Sequence, residues 1–378
     1  MKKFVRIMSV VLCVVLLAGM FAACGQKKGY TANNTEYFIG STGPLTGGAA
    51  SYGISVQKGA TLAIEEINKA GGLNGVKFKF DMRDDQAAAA DAGTGYDTLY
   101  EAGMQISLGS VTSGACKSFG AKAKEDNVFF MTPSASEQAV IETGDNAFRV
   151  CFGDPDQGTL AAQEIKAAGY TNVGVLYDSS DSYSSGVFDA FKAEMNKLGL
   201  TYTEAKFDAE NKVDFSTQAS ALKDCDIVFM PFYYTEAALF IKASAAKGST
   251  AVFFGCDGFD GISGQFKGDK PENTIKYITP FDVNSTDAKV SAFVAAFKAK
   301  YNEEPDQFAA DGYDAVMAIF EAMKAAGVND VTISASDLCE KVKATITSSS
   351  FTYTGATGTM KWDASGACTK SAQIVELN

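Results

Sequence analysis

Residues 172–178 read NVGVLYD, and the apolar run inside this stretch decides the fold class. A strand that is apolar on both sides is typical of parallel α/β sheets, whose two faces are both covered. The helix-like stretch AAQEIKAAG at 161–169 precedes it, and FDAFKAEMNKLGL at 188–200 follows it. A helix, a buried strand and a second helix predict a parallel sheet with helices packed on both faces.

The same alternation extends in both directions along the chain. Towards the C-terminus, strand-like DIVFMPF at 226–232 and AVFFG at 251–255 flank the helix-like ALFIKASAAKG at 238–248. Towards the N-terminus, YFIG at 37–40 precedes SVQKGATLAIEEINKAGG at 55–72, where apolar residues recur at helical spacing. The two series predict an α/β protein of two doubly wound lobes, joined by crossover segments, with a cleft between them.

The last hundred residues depart from this alternation. Long helices are predicted around 290–327, and residues 351–377 read as a β-hairpin with glycine-containing turns. We therefore expect the helices to complete the first lobe and the hairpin to complete the second. The expected first lobe comprises 37–153 and 284–347, and the expected second lobe comprises 154–283 and 348–378.

The first 25 residues, MKKFVRIMSVVLCVVLLAGMFAACG, indicate the compartment. A basic start is followed by an apolar run that is too short to span a bilayer comfortably. Small residues then precede Cys24, so the segment resembles a bacterial lipoprotein signal. We expect residues 1–23 to be removed, Cys24 to be lipidated and residues 24–36 to form a flexible tether. The acyl chains would hold the protein at the extracytoplasmic face of the cell membrane.

Composition excludes several classes of function. The chain has a net charge of −12, and without residues 1–23, which contain three basic and no acidic residues, the net charge is −15. Such a chain has no electrostatic reason to bind nucleic acid. It contains no histidine, which excludes Ser-His-Asp and Cys-His catalysis and histidine metal sites. We expect no enzymatic activity, no cofactor and no metal.

The cysteines of the mature chain match no zinc motif, and no Cys-x-x-Cys occurs. Cys339 and Cys368 flank one C-terminal segment, and whether they form a disulfide is left open.

A strand-like run ends in small hydroxyl residues at 128–136, VFFMTPSAS. Serine, threonine and proline end strands for local hydrogen-bonding reasons, which would make this a turn. Open α/β sheets also bind ligands at the carboxyl ends of their strands, which would make it a site. Both interpretations stay open on this stretch alone.

A set of motifs in a specific order links the chain to a known family. They are GPLTGGAASYG at 43–53, AIEEINKAGGLNG at 63–75, TPSAS at 132–136, FYYTEAAL at 232–239 and YDAV at 313–316. In this order the chain resembles the substrate-binding lipoproteins of ABC importers for branched-chain amino acids, from about residue 37 to residue 377. The resemblance implies the type I periplasmic-binding-protein fold, with three crossover segments and closure over the ligand. It also implies a monomer that meets permease subunits with their ATPase.

The resemblance further implies ligand contacts at particular positions. The loop GSVTSGA at 109–115 and the TPSAS strand end correspond to the family's carboxylate-binding loops, and Asp257 corresponds to its acid for the ligand's ammonium. Which of two adjacent tyrosines, 233 and 234, faces the cleft is left open. The expected ligand-binding residues are Tyr52, Ser113, Ala115, Ser134, Ser136, Tyr183, Tyr233, Tyr234 and Asp257.

These residue types suit a small zwitterion. Helix N-termini supply N–H donors for a carboxylate, and a buried carboxylate gives an ammonium a charge-assisted hydrogen bond. Tyrosine offers an apolar face to a side chain. No further Arg, Lys or Glu lies at the expected positions, which favours a branched-chain or other apolar amino acid. The alternatives are a ligand-sensing receptor subunit and a binder of urea or short amides.

Overall fold

The computed structural model describes residues 34–266, 268 and 271–377. Cys24, the expected signal segment and most of the expected tether lie outside the described residues. Within them, no helix is both long enough and apolar enough to cross a membrane.

The first lobe is built on a five-stranded parallel sheet. Its strands lie in the spatial order 2-1-3-4-5. They are β1 (Tyr37–Gly43), β2 (Phe78–Asp84), β3 (Ile106–Ser107), β4 (Phe130–Thr132) and β5 (Ala147–Arg149). The connecting helices are α1 (Ala50–Lys69), α2 (Ala89–Glu101), α3 (Ser113–Asp126) and α4 (Gln138–Ile141). Every residue of β1 is buried, because helices cover both faces of the sheet: Tyr37 and Ile39 join one core cluster, and Phe38 joins the other.

The second lobe is built on a six-stranded sheet in the order 14-10-9-8-6-7. Its strands are β6 (Val173–Asp178), β7 (Thr203–Phe207), β8 (Ile227–Met230), β9 (Val252–Gly255), β10 (Ile275–Thr279) and β14 (Gln373–Glu376). The helices of this lobe are α5 (Asp154–Ala168), which precedes β6, and α6 (Ser182–Lys197), α7 (Ser216–Ala221) and α8 (Tyr234–Ala246), which connect the strands. Only β14 runs antiparallel to its neighbour in this sheet. The α/β class with two doubly wound lobes is confirmed, and the NVGVLYD stretch forms an inner strand.

Three C-terminal helices pack on the first lobe. They are α9 (Ala288–Tyr301), α10 (Gln307–Ala325) and α11 (Ala335–Ile346). Residues of α10 and α11 share a core cluster with β1 and α1. Helix α10 touches α1 so closely that a β-carbon at Gly59 would overlap the carbonyl oxygen of Ala309. Glycine is therefore needed at this contact.

The C-terminal hairpin packs on the first lobe, not on the second as the sequence suggested. Strands β11 (Tyr353–Gly355), β12 (Gly358–Trp362) and β13 (Cys368–Thr369) form a separate antiparallel sheet. Trp362 lies in the first-lobe core, and its Nε1 donates to the carbonyl oxygen of Arg149 at 2.7 Å. The carboxylate of Asp314 in α10 accepts the backbone N–H of Thr357 at 2.7 Å. The expected assignment of 348–378 to the second lobe is therefore wrong for the hairpin, and only β14 joins the second sheet.

The chain passes between the lobes at 150–153, 280–287 and 370–372. The last passage carries a buried ion pair, in which Lys370 Nζ lies 2.6 Å from Asp311 Oδ1 of α10. The two side chains are 1% and 3% exposed. This pair fixes the third crossover to the first lobe.

The six cysteines in the described part of the chain are all free. Cys339 donates to Asn127 Oδ1, whereas Cys368 donates to the carbonyl oxygen of Thr369. The two thiols left open by the sequence therefore form no disulfide in this structure.

Candidate functional site

Strand ends of both lobes face each other across one narrow space, which we call the interlobe cavity. Its volume is about 10 Å³, which is room for about one water molecule, so the lobes stand closed against each other. A larger ligand requires the lobes to move apart. The residues that line the cavity are Tyr52, Val111, Thr112, Ser113, Ser134, Tyr183, Tyr233, Asp257, Gly258 and Phe308.

The first lobe presents neutral hydrogen-bonding groups to this cavity. Ser113 is the first residue of α3, where the N–H groups of the first turn lack partners within the helix. Its Oγ accepts the backbone N–H of Glu137 at 3.2 Å. Ser134 Oγ donates to the carbonyl oxygen of Val111 at 2.8 Å. A helix N-terminus with adjacent hydroxyls favours an anion without placing a full positive charge beside it.

The stretch TPSAS has both of the roles that its sequence allowed. Thr132 Oγ1 accepts the backbone N–H of Ala135 at 3.0 Å, which closes a turn directly after β4. Ser134, inside that turn, lines the interlobe cavity. The turn therefore places the serine at the site.

Asp257 is the only charged residue among those that line the cavity. It follows β9 and begins a short 3-10 turn, with 6% of its surface exposed. Its Oδ1 accepts the hydroxyl of Tyr183 at 2.6 Å, and its backbone N–H donates to Gln157 Oε1 at 3.0 Å. Burial raises the pKa of Asp257 to about 6, against a lowering by the hydrogen bonds from Tyr183 and Gln157. At pH 7 most of this group is an ionised acceptor with neutral partners.

Tyr52 of α1 bridges the two lobes. Its hydroxyl donates to the carbonyl oxygen of Gly258 at 2.5 Å and accepts the backbone N–H of Tyr234 at 3.2 Å. Its ring stacks on Phe308 with the centroids 4.2 Å apart. Tyr52 therefore both lines the cavity and connects the two lobes.

The tyrosine pair left open by the sequence divides between two roles. Tyr233 lines the cavity and stacks on Tyr183 with ring centroids 5.3 Å apart. Tyr234 lies outside the wall, and its hydroxyl accepts the backbone N–H of Ser51 in α1 at 3.4 Å. Tyr233 is thus the member of the pair that faces the cleft.

The structure brings together six of the nine expected residues on the cavity wall. Ala115, Ser136 and Tyr234 are buried beside the wall but do not line the cavity. Sequence reasoning missed four wall residues, Val111, Thr112, Gly258 and Phe308. Val111 and Thr112 lie inside the quoted loop GSVTSGA, and Gly258 directly follows Asp257. Phe308 lies in the first turn of α10 and carried no strand-end signal. In the described ranges, no group of three or more Cys, Asp or Glu side chains is placed to hold a metal ion.

Comparison with known proteins identifies the family. A family model described as "Periplasmic binding protein" matches residues 36–378. The Leu/Ile/Val-binding protein homolog 1 of Brucella abortus is 30% identical over 303 residues, which cover 78% of this chain and 80% of the relative. A leucine-, isoleucine-, valine-, threonine- and alanine-binding protein of Pseudomonas aeruginosa is 28% identical over 338 residues, which cover 87% of each chain.

A solved structure agrees with these relatives. The branched-chain amino acid transporter substrate-binding protein LivJ of Streptococcus pneumoniae, in complex with isoleucine, superposes with a TM-score of 0.80. It is 27% identical, and the match covers 91% of this chain and 96% of that one. The resemblance noted from the sequence is confirmed.

We predict that Tyr52→Phe shifts the protein towards an open arrangement of the lobes. The change removes two hydrogen bonds between lobes, which together are worth about 1–3 kcal/mol, while the ring remains to stack on Phe308. Small-angle scattering of the ligand-free protein should give a larger radius of gyration than wild type. Tyr96→Phe is the control, because it removes one part-buried hydrogen bond, to Asp126, within the first lobe. An unchanged radius in Tyr52→Phe would show that these two bonds do not hold the lobes closed.

Proposed function

Because this chain belongs to the periplasmic binding protein family, we propose that it captures a branched-chain or other apolar amino acid by lobe closure and delivers it to an ABC permease. The family is one of ABC-transporter solute-binding proteins and not of enzymes. The observation that carries the proposal is the charge pattern of the interlobe cavity. Neutral donors of the first lobe lie opposite one buried carboxylate of the second, and this matches an α-amino acid zwitterion.

Each part of such a ligand has a counterpart on the wall. The start of α3, which includes the hydroxyl of Ser113, offers donors to the carboxylate, and Asp257 accepts from the ammonium. The rings of Tyr52, Phe308 and Tyr233 offer apolar surface to the side chain. The wall holds no second charge, so a charged side chain would be buried there without a partner of opposite sign.

A thermal-shift screen of residues 24–378 against the twenty amino acids, urea and acetamide tests this proposal. A ligand at 100 times its dissociation constant adds about 2.7 kcal/mol of stability, which gives a clear rise in melting temperature. We expect the largest shifts from apolar amino acids. Shifts from urea or acetamide alone would favour the amide-binding alternative, and the absence of any amino-acid shift would refute the proposal.

Asp257→Asn should weaken binding of the best amino acid by about 2–5 kcal/mol, the range for removing one partner of a buried charged pair. This corresponds to about 30- to 5,000-fold in the dissociation constant. Asparagine keeps the shape and suits turns about as well as aspartate. Calorimetry measures the loss, and an affinity within threefold of wild type would return Asp257 to a turn-forming role.

The pH dependence should have a defined sign. The ammonium requires ionised Asp257, whose pKa in the free protein is about 6. Affinity should therefore change little between pH 7 and 8, where the ligand remains a zwitterion, and fall as the pH drops below 6, whereas Asp257→Asn should lose this fall. A wild-type affinity that rises in acid would contradict the assignment.

The anchoring part of the proposal concerns Cys24. A monomer held at the extracytoplasmic face by acyl chains on Cys24 accords with the sequence of residues 1–25. Cys24→Ala should leave the signal uncleaved or release the protein from the membrane, as fractionation and immunoblotting would show. Cys13→Ala, inside the apolar run, is the control and should anchor normally. Mature-sized Cys24→Ala protein in the membrane fraction would overturn the lipoprotein assignment.

A further inference from the structure

The first turn of α10 in the first lobe carries a buried glutamine that reaches into the second lobe. Gln307 is the first residue of α10, directly before Phe308 of the cavity wall, and it is 1% exposed. Its side-chain Nε2 donates to the carbonyl oxygen of Asp257 at 2.7 Å. Asp257 is the acid to which the proposed function assigns the ligand's ammonium. A first-lobe side chain therefore holds the backbone of the second-lobe acid.

Asp257 is held on both sides of its backbone. Its N–H donates to Oε1 of Gln157, in α5 of the second lobe, at 3.0 Å, and its carbonyl oxygen accepts from Gln307 of the first lobe. Both glutamine side chains are buried, where hydrogen-bonding groups are rarely left unpaired. The two bonds limit the backbone positions from which the carboxylate can reach the cavity.

The orientation of the Gln307 amide is set by a further contact with the second lobe. Thr279 Oγ1, at the end of β10, donates to Gln307 Oε1 at 2.8 Å. The carbonyl oxygen of Phe281, at 3.3 Å, is a more distant acceptor for the same hydroxyl. Because the amide oxygen faces Thr279, the amide nitrogen, which is a donor only, faces the carbonyl oxygen of Asp257.

The backbone of Gln307 is fixed to the same loop of the second lobe. The N–H groups in the first turn of a helix have no partners within the helix. That of Gln307 donates to Asp260 Oδ2 at 2.7 Å, and a carboxylate is favoured at this end of a helix. The hydrogen bonds of this one residue to the second lobe therefore end at Asp257, Asp260 and Thr279.

We propose that Gln307 is a positioning residue for the ligand acid, and that it holds Asp257 where the carboxylate meets the ligand's ammonium in the closed arrangement. The inference rests on the proposed function and adds that the first lobe takes part in recognising both ends of the zwitterion. Gln307 does not line the cavity, so it acts only through Asp257. An analogue without the amino group makes no bond to the acid and gains nothing from its position.

Gln307→Met tests the inference, because methionine is similar in size to glutamine but cannot donate to the carbonyl oxygen. We expect calorimetry to show leucine binding at least fivefold and up to about 50-fold weaker than in wild type, part of the value of one hydrogen bond to a charged group. Binding of 4-methylpentanoate, the deaminated analogue of leucine, should change less than twofold. In an Asp257→Asn background the same substitution should cost less than about twofold, since no charged acceptor remains to be positioned.

Gln105→Met is the matched control. Gln105 is a fully buried glutamine of the first lobe with three side-chain hydrogen bonds. Its Nε2 donates to the carbonyl oxygens of Val331 and Ile333, and its Oε1 accepts the backbone N–H of Phe38. Loss of these bonds should lower the melting temperature, but leucine binding and the preference for leucine over 4-methylpentanoate should stay within twofold of wild type.

Thr279→Val is the second variant, and it decides if Gln307→Met does not fold. Valine is similar in shape to threonine but has no hydroxyl to orient the amide of Gln307. The preference for leucine over 4-methylpentanoate should therefore fall at least threefold. A smaller fall would overturn the inference.

The outcomes separate this inference from the proposed function. If wild type binds leucine and Gln307→Met binds it less than fivefold more weakly, the inference is wrong and the proposed function stands. Equal losses for leucine and 4-methylpentanoate, or an equal loss in the Asp257→Asn background, would likewise assign Gln307 a structural role. If wild type binds no amino acid at all, the proposed function fails and the inference fails with it.

Discussion

The site depends on a carboxylate that is buried between two lobes with neutral partners only. Asp257 receives hydrogen bonds from groups such as the hydroxyl of Tyr183, and these bonds keep much of it ionised without neutralising it. Water can screen this charge while the lobes are apart, but closure removes the water. In the proposed function, the ligand's own ammonium replaces the water, and its carboxylate goes to the neutral donors of the first lobe. In that function the ligand supplies the charges that balance the site, and closure would favour a zwitterion.

The connections between the lobes divide into permanent and reversible contacts. The buried pair of Lys370 and Asp311 belongs to the third crossover, which both arrangements of the lobes must keep. Such a pair gives little net stability, since desolvation offsets its attraction, but breaking it is costly, so it fixes the chain in one position. The hydroxyl of Tyr52, by contrast, bonds across the cleft to Gly258, and that bond can form and break with each closure. Hinge motion requires both kinds of contact: one that stays formed at the crossover and one across the cleft that can break.

The alternation of strands and helices predicted the fold class, and the family resemblance predicted six of the ten residues that line the cavity. It could not place the hairpin, since the alternation around Trp362 predicts burial without saying which lobe provides the partner. Tyr233 and Tyr234 were ambiguous because a helix begins between them, so strand alternation does not apply.

The late return of the chain to the first lobe determines when each lobe can be completed. The inserted segment 154–279 holds five of the six strands of its sheet and lacks only the edge strand β14. The first lobe is completed later. Helices α10 and α11 and the hairpin cover one face of its sheet, and they come some two hundred residues after its strands in the chain. The first lobe therefore cannot be completed before the second, although its sheet comes first in the chain. Until α10, α11 and the hairpin are in place, α1 covers only part of this face of the N-terminal sheet, and exposed apolar surface of this kind favours aggregation.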